Sequence, residues 1–409
     1  MLKRLRHHLR QLGPGLITGA ADDDPSGIAT YSQAGAQFGT RMLWSLVITL
    51  PLMAAIQLVS ARIGYVTGHG LAANMKRAFP RPWLLLLVGL LVTANTLNIA
   101  ADIAAMAEAL RLLVGGSAHV YAITFGLVCV VMQVFLPYQS YVRWLKWLTL
   151  ALLAYLGVVC MVHIDWGEVL LHALLPQLRW DADLLLTLVA VLGTTISPYL
   201  FFWQAGQEVE DRQAGAGQPH SAHEVRRHLR RIKFDTIVGM SFSNAIAFFI
   251  MLSTAATLHR AGITHIETSA QAVEALRPLA GHQAALLFAL GIIGTGLLAV
   301  PVLAGWEGSL SLKLERGEGR GFYGVIAVAT LVGVALCFSP MDPVRELFWS
   351  AVFNGVAAVP IMAAMMMLAS SRKVMGGHTI GPRLRAMGWL ATGVMLATVL
   401  ALGWMSVAG

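Results

Sequence analysis

The sequence predicts an all-α integral membrane protein, and three observations carry that reading. Hydrophobic residues make up 57% of the 409 and charged residues only 12%, against about a quarter charged in ordinary soluble globules. Apolar runs long enough to cross a hydrocarbon core of about 30 Å recur from one end of the chain to the other. The basic residues alternate between sides: with MLKRLRHHLR in the cytoplasm, 22 of the 29 Lys and Arg fall in cytoplasmic segments, six of them around HEVRRHLRRIK. That is the positive-inside pattern of a multi-pass protein with a cytoplasmic N-terminus.

Eleven spans satisfy these constraints, at residues 12–34, 43–67, 82–110, 118–137, 145–163, 184–207, 233–257, 283–307, 321–339, 345–369 and 386–407. Shifting the count by one in the middle would spoil the charge pattern, so an odd number is favoured. The formal net charge of +8 is thereby accounted for by topology, and no nucleic-acid partner is expected. The start resembles a signal peptide, with basic residues before an apolar run. Ten further spans follow it, however, and an acidic cluster interrupts the run early, so it is kept as the first helix. Cys129, Cys160 and Cys337 are widely spaced in apolar runs, with neither disulfide nor metal spacing.

Two spans contain helix breakers. GAADDDPSGIATYSQAG, residues 19–35, carries Asp24-Pro25-Ser26-Gly27, and GTTISPYLFFWQ, residues 193–204, carries Ser197-Pro198. Proline removes a donor and glycine admits non-helical dihedrals, so backbone carbonyls are freed at membrane depth. Such carbonyls are tolerated only where protein or a wet cavity receives them. The breaks are five spans apart, the placement expected of a transporter with inverted repeats and a midplane site.

A carboxylate inside a span is a functional-site hypothesis, because its desolvation must be offset by a cation, a proton or water. Asp24 sits at the first break, and the second adds Thr194, Thr195, Ser197 and Tyr199. This all-oxygen set suits hard divalent cations such as Mg²⁺ and Mn²⁺. Asp22 and Asp23 cannot share a helix face, so three carboxylates on one ion are not expected; Asp23 is the better further ligand, and Asp22 is assigned to the lining. Gln57, Asn95, Asn98, Asp102, Asn244, Glu307 and Asn354 are further polar residues in spans. Asp102, Asn98 and Asn354 are candidates for the ion route, whereas Asn95 and Asn244 fit interhelical hydrogen bonding. GIIGTG at 291–296 lies in a span without βαβ context and reads as close helix packing. Trp44, Trp144, Trp147, Trp166 and Trp349 suit interfacial anchoring, and IMAAMMMLAS suits flexible core filling.

These residues resemble the natural-resistance-associated macrophage protein (Nramp) family of divalent-metal transporters. GPGLITGAADDDPSGIATYSQAGAQFG is similar to the family's first-helix pattern of GPG, then Asp-Pro-Gly-Asn, then Gln-Ala-Gly. TTISPYLFFWQ stands where the family has a Met-Pro-His segment. The resemblance implies a LeuT-type fold with two inverted five-helix repeats, residues 12–163 and 184–369, and an additional helix at 386–407, with helices 1 and 6 unwound. The whole chain, 1–409, would then be a single transporter domain, expected as a monomer in the bacterial inner membrane and without a resident cofactor.

By position, Asp24 resembles the family's metal-binding aspartate and Thr194 its carbonyl-donating residue. Gly27 replaces the metal-binding asparagine, and Ser197 replaces the thioether ligand. Tyr199 and Gln204 stand at the two histidine positions. Asp102 retains the first of two helix-three acidic residues, Ala105 replaces the second, and the ninth span lacks the family's arginine. These departures resemble the divergent Nramp-related magnesium transporters, which implies Mg²⁺ and Mn²⁺ uptake without proton coupling. The alternatives are a proton-coupled transition-metal (Mn/Fe) carrier with a rearranged site, or a carrier of an organic solute. An enzyme pairing Asp24 with Asp102 has no matching catalytic motif, and a membrane sensor would need a long soluble output domain.

Overall fold

The computed structural model describes residues 18–19, 21–135, 149–177, 181–214, 222–305, 330–335, 337–338 and 342–408. The longer helices are α1 (Pro25–Phe38), α2 (Leu43–Thr67), α3 (Arg81–Val114), α4 (Ala118–Phe135), α5 (Leu153–Met161), α6 (Ala182–Thr195), α7 (Pro198–Ala214), α8 (Ala222–Thr254), α9 (Ala284–Gly305), α10 (Pro343–Ser370) and α11 (Pro382–Ala408). Seven helical stretches among the described residues are long and apolar enough to cross a membrane. The chain is an all-α, multi-pass membrane protein.

Local chemistry sets the boundaries. Asp24 caps α1, and Pro25 opens it, where the missing N–H costs nothing because that donor has no intrahelical partner. Gly68, with φ 68°, closes α2 in the left-handed region, which glycine enters without steric penalty. Asp181 caps α6, and Asp342 caps α10 with Pro343 in its first turn.

Most spans agree with the sequence reading to within a few residues. The exceptions have physical reasons. The first break is earlier than expected: Asp23 and Asp24 are non-helical, while Pro25, Ser26 and Gly27 form the first turn of α1. The second break is shorter than 193–204, confined to Ile196 and Ser197, with 198–204 already helical in α7. The seventh span starts eleven residues early, at Ala222, because the basic segment contains no Pro or Gly to stop the helix before it leaves the apolar layer. The ninth span is described only at 330–335 and 337–338, and Glu307 lies outside the described residues. Trp44 is buried, whereas Trp166 and Trp349 are half exposed; the helix Trp166–Leu174 packs over the start of α2 and covers Trp44's end of it. Trp144 and Trp147 lie outside the described residues.

α1 packs against α8, α10 and α6, and α6 packs along α10. The broken elements therefore occupy the centre, with α11 and α4 more peripheral. Asp24, Asp102, Thr194 and Tyr199 are all at most 2% exposed, so the polar residues of the spans are enclosed by protein.

Candidate cation site at the two helix breaks

The two breaks meet. Asp24 Oδ1 accepts a hydrogen bond from Gly27 N at 2.7 Å, and its Oδ2 accepts from the Tyr199 hydroxyl at 3.1 Å. That hydroxyl also lies 3.2 Å from the Ala21 carbonyl oxygen. Two turns along α1 from Asp24, the Tyr31 hydroxyl is 3.1 Å from Thr195 Oγ1. Gly27 faces the same seam: a Cβ there would lie 3.3 Å from the Asp22 carbonyl oxygen, from Thr194 Oγ1 and from the Tyr31 ring. Absence of a side chain at Gly27 thus lets two oxygens from different breaks approach one spot.

Pro198 lacks the N–H that would continue α6, leaving the carbonyl of Thr194, four residues before it, without that helical partner. The Ser197 hydroxyl sits 2.7 Å from the Thr194 carbonyl and 2.8 Å from that of Gly193. With a single proton it serves one acceptor at a time, so the Thr194 and Gly193 oxygens keep lone-pair capacity. Ser197 and Thr194 are therefore coupled, and a group approaching the Thr194 carbonyl also meets Ser197.

The other predicted residues divide into two groups. Asp22 and Asp23 meet α8, where Ser243 Oγ lies 2.5 Å from Asp22 Oδ2 and 3.2 Å from Asp23 Oδ1. Asp23 thus has its closest described partner outside the seam that Asp24 shares with Tyr199. Gln204 bonds along a polar file: Gln57 Nε2 donates to the Leu200 carbonyl at 3.0 Å and to Gln204 Oε1 at 3.3 Å, and Gln204 Nε2 donates to Glu208 at 3.3 Å. Asn98, Asp102 and Asn354 are buried, and both side-chain polar atoms of each lack a hydrogen-bond partner. Asn95, Asn98 and Asp102 share one face of α3 by helical spacing, and Asn95 donates to the Leu303 carbonyl at 2.8 Å, the interhelical bond expected of it. Asn244 Oδ1 has no partner.

Ser243, Tyr31, Ser26 and Glu208 were not legible as site residues. Ser26 Oγ donates to the Leu347 carbonyl at 3.0 Å and lies 3.2 Å from Ser350 Oγ, which ties the first turn of α1 to α10. Hydroxyls in spans are common and carry no signal of their own. Glu208 lies just past the expected end of the sixth span. Replacing Tyr199 with Phe removes the only side-chain donor to Asp24 among the described residues. Cation binding at the break is expected to weaken several-fold with the protein still monodisperse, as checked by equilibrium dialysis with Mn²⁺ and size-exclusion chromatography.

Comparison with known proteins agrees with this architecture. The family model "Natural resistance-associated macrophage protein-like" matches residues 15–405. A divalent metal cation transporter MntH from Caldanaerobacter subterraneus subsp. tengcongensis is 26% identical over 410 residues, covering 96% of this chain and 92% of the relative. The MntH of Mycobacterium leprae is 26% identical, covering 92% of this chain and 88% of its own length. Among solved structures, a manganese transporter of Eremococcus coleocola superposes with a TM-score of 0.75 at 18% identity, covering 97% of this chain and 86% of that one. MhsT in complex with L-phenylalanine superposes at 0.65 with 11% identity over 95% and 98% of the two chains. The two superpositions show that the fold is shared with these transporters, and the match along nearly the whole sequence makes this chain a member of the natural resistance-associated macrophage protein-like family.

Proposed function

We propose that this protein carries divalent metal ions, Mn²⁺ among them, across the membrane by alternating access about the two helix breaks. The observation that carries the reading is the junction of Asp24 with the broken α6–α7 segment, in a chain whose relatives are named divalent metal cation transporters. The cargo is bound by the Asp24 carboxylate, the Thr194 carbonyl or hydroxyl, Ser197 and water, with the space at Gly27 left for the ion's own hydration. Tyr199, Gln204, Asn98, Asp102 and Asn354 line the route. The topology proposed with it is eleven spans with helices 1 and 6 unwound: inverted repeats at 12–163 and 184–369, an additional helix at 386–407, a cytoplasmic N-terminus and a monomeric unit in a bacterial inner membrane.

Two readings of selectivity have separate support. The relatives and the solved neighbour, named for divalent metals and manganese, favour a Mn²⁺/Fe²⁺-type carrier, the reading to which proton coupling belongs. The donor set at the breaks favours Mg²⁺ alongside Mn²⁺ without protons, since Asp24, Thr194 and Ser197 offer neither thioether nor imidazole, and Mg²⁺ retains waters readily. Proteoliposomes containing a pH dye separate them. Mn²⁺ influx that acidifies the lumen and ignores excess Mg²⁺ supports the first; Mg²⁺ competition without acidification supports the second. Absence of influx of either ion through folded protein would overturn both.

Ser197→Met tests the donor argument directly. A thioether at this position is expected to raise the preference for Mn²⁺ over Mg²⁺ by about tenfold, or about 1.4 kcal/mol, measured as the ratio of initial uptake rates. An unchanged ratio would place residue 197 outside the coordination sphere.

A further inference from the structure

From the arrangement of Asp22, Asp23 and Ser243, we propose a second cation site, separate from Asp24, in which one divalent ion is held between the two carboxylates. The proposal rests on the reading of this chain as a divalent-metal carrier and adds a second binding stage to it. Asp22 is fully buried and Asp23 is 2% exposed, yet they share one neutral donor. The Ser243 hydroxyl, 2.5 Å from Asp22 Oδ2 and 3.2 Å from Asp23 Oδ1, has a single proton. Asp22 Oδ1 is buried with no hydrogen-bond partner. Among the described residues no Lys, Arg or His forms an ion pair with either carboxylate.

Two neighbouring carboxylates in a low-dielectric interior are strongly unfavourable unless something positive offsets them. One dication supplies the balancing charge, and the free Asp22 oxygen, an Asp23 oxygen and the Ser243 oxygen supply three hard ligands, with water completing the shell as Mg²⁺ and Mn²⁺ accept. The place is built into the packing. A Cβ on Gly19 would lie only 2.3 Å from the Gly239 carbonyl oxygen, so the chain before the break is pressed against α8 one helical turn from Ser243. Asp24, by contrast, directs its oxygens to Gly27 and Tyr199. An ion at the Asp22–Asp23 pair would share Ser243 of α8, and one at Asp24 would meet Tyr199 of α7, so the two stages use different partner helices.

The test counts ions. Full-length protein in nanodiscs is titrated with Mn²⁺, and bound metal is read by equilibrium dialysis and electron paramagnetic resonance. Wild type is expected to bind two Mn²⁺ per chain with a dipolar interaction between them. Asp24→Asn is expected to retain one, and the double variant Asp22→Asn/Asp23→Asn to retain the other. Ser243→Ala, which keeps both carboxylates, is expected to weaken the second binding event about tenfold without changing the count at saturation; it carries the test if the double variant does not fold. One Mn²⁺ in wild type, lost with Asp24→Asn and insensitive to Ser243→Ala, would overturn the second site while leaving the transport reading intact. Loss of all binding with either substitution would make it a single shared site and also overturn the proposal. Binding lost only with Asp22 and Asp23, and unchanged by Asp24→Asn, would instead count against the central site.

Discussion

Asp24→Asn is expected to lower Mn²⁺ uptake on the order of 100-fold, about 2.7 kcal/mol, while the protein stays folded. The asparagine is nearly isosteric, keeps an oxygen for Gly27 N and remains a competent N-cap, so α1 should still start at residue 25. What it removes is the negative charge that faces Tyr199 across the seam. Because burying an ionised carboxylate is costly without a cation, the variant in chelator is expected to melt at or above the wild-type temperature. The rise in melting temperature that Mn²⁺ gives the wild type should shrink. Asp24→Ala is a harsher change: it also removes the cap, typically worth about 1 kcal/mol, so the Asn variant separates charge from architecture. Wild-type uptake by a folded Asp24→Asn protein would remove Asp24 from the cargo path.

Much of this arrangement was legible in the sequence because it follows from local rules. The helices are long apolar runs, and both breaks announce themselves through Pro25 and Pro198. The significance of Asp24 follows from a carboxylate placed where water is excluded. The details that escaped are those in which tertiary contacts choose among locally equal options. Nothing in DDD says which aspartate meets α7 and which meets α8; tertiary packing gives Asp24 to Tyr199 and Asp22 and Asp23 to Ser243. The exact start of α1 escaped because proline both breaks a helix and opens one, and Asp24 as a cap selects the second role. Ser243 could not be found, since a lone serine in an apolar helix usually bonds its own backbone. The length of α8 was misjudged because hydropathy reports the membrane and a helix can outrun it.

The second large effect is expected at Gly193, where the packing that supports the break leaves no room for a side chain. A Cβ there would lie 2.1 Å from the Ala351 carbonyl oxygen and 2.5 Å from Gly355 N, both backbone atoms of α10. Backbone cannot rotate aside as a side chain can, so α6 and α10 would have to separate. Overpacking of a tight core typically costs about 1–3 kcal/mol, and contact between two main chains belongs at or above the top of that range. The consequence reaches function, because Gly193 lies one residue before Thr194 and its carbonyl is 2.8 Å from the Ser197 hydroxyl. Gly193→Val is therefore expected to give little monodisperse protein, and any that is recovered should transport at a small fraction of the wild-type rate. Gly206→Ala provides the contrast: its Cβ would meet nothing within 4 Å, and alanine favours the helix, so stability should be unchanged or rise by up to about 1 kcal/mol. Fluorescence-detected size-exclusion chromatography over a temperature series measures both. Equal melting profiles for Gly193→Val and Gly206→Ala would mean that the α6–α10 contact is looser than its backbone distances require, and the rigid support inferred for the second break would fail with it.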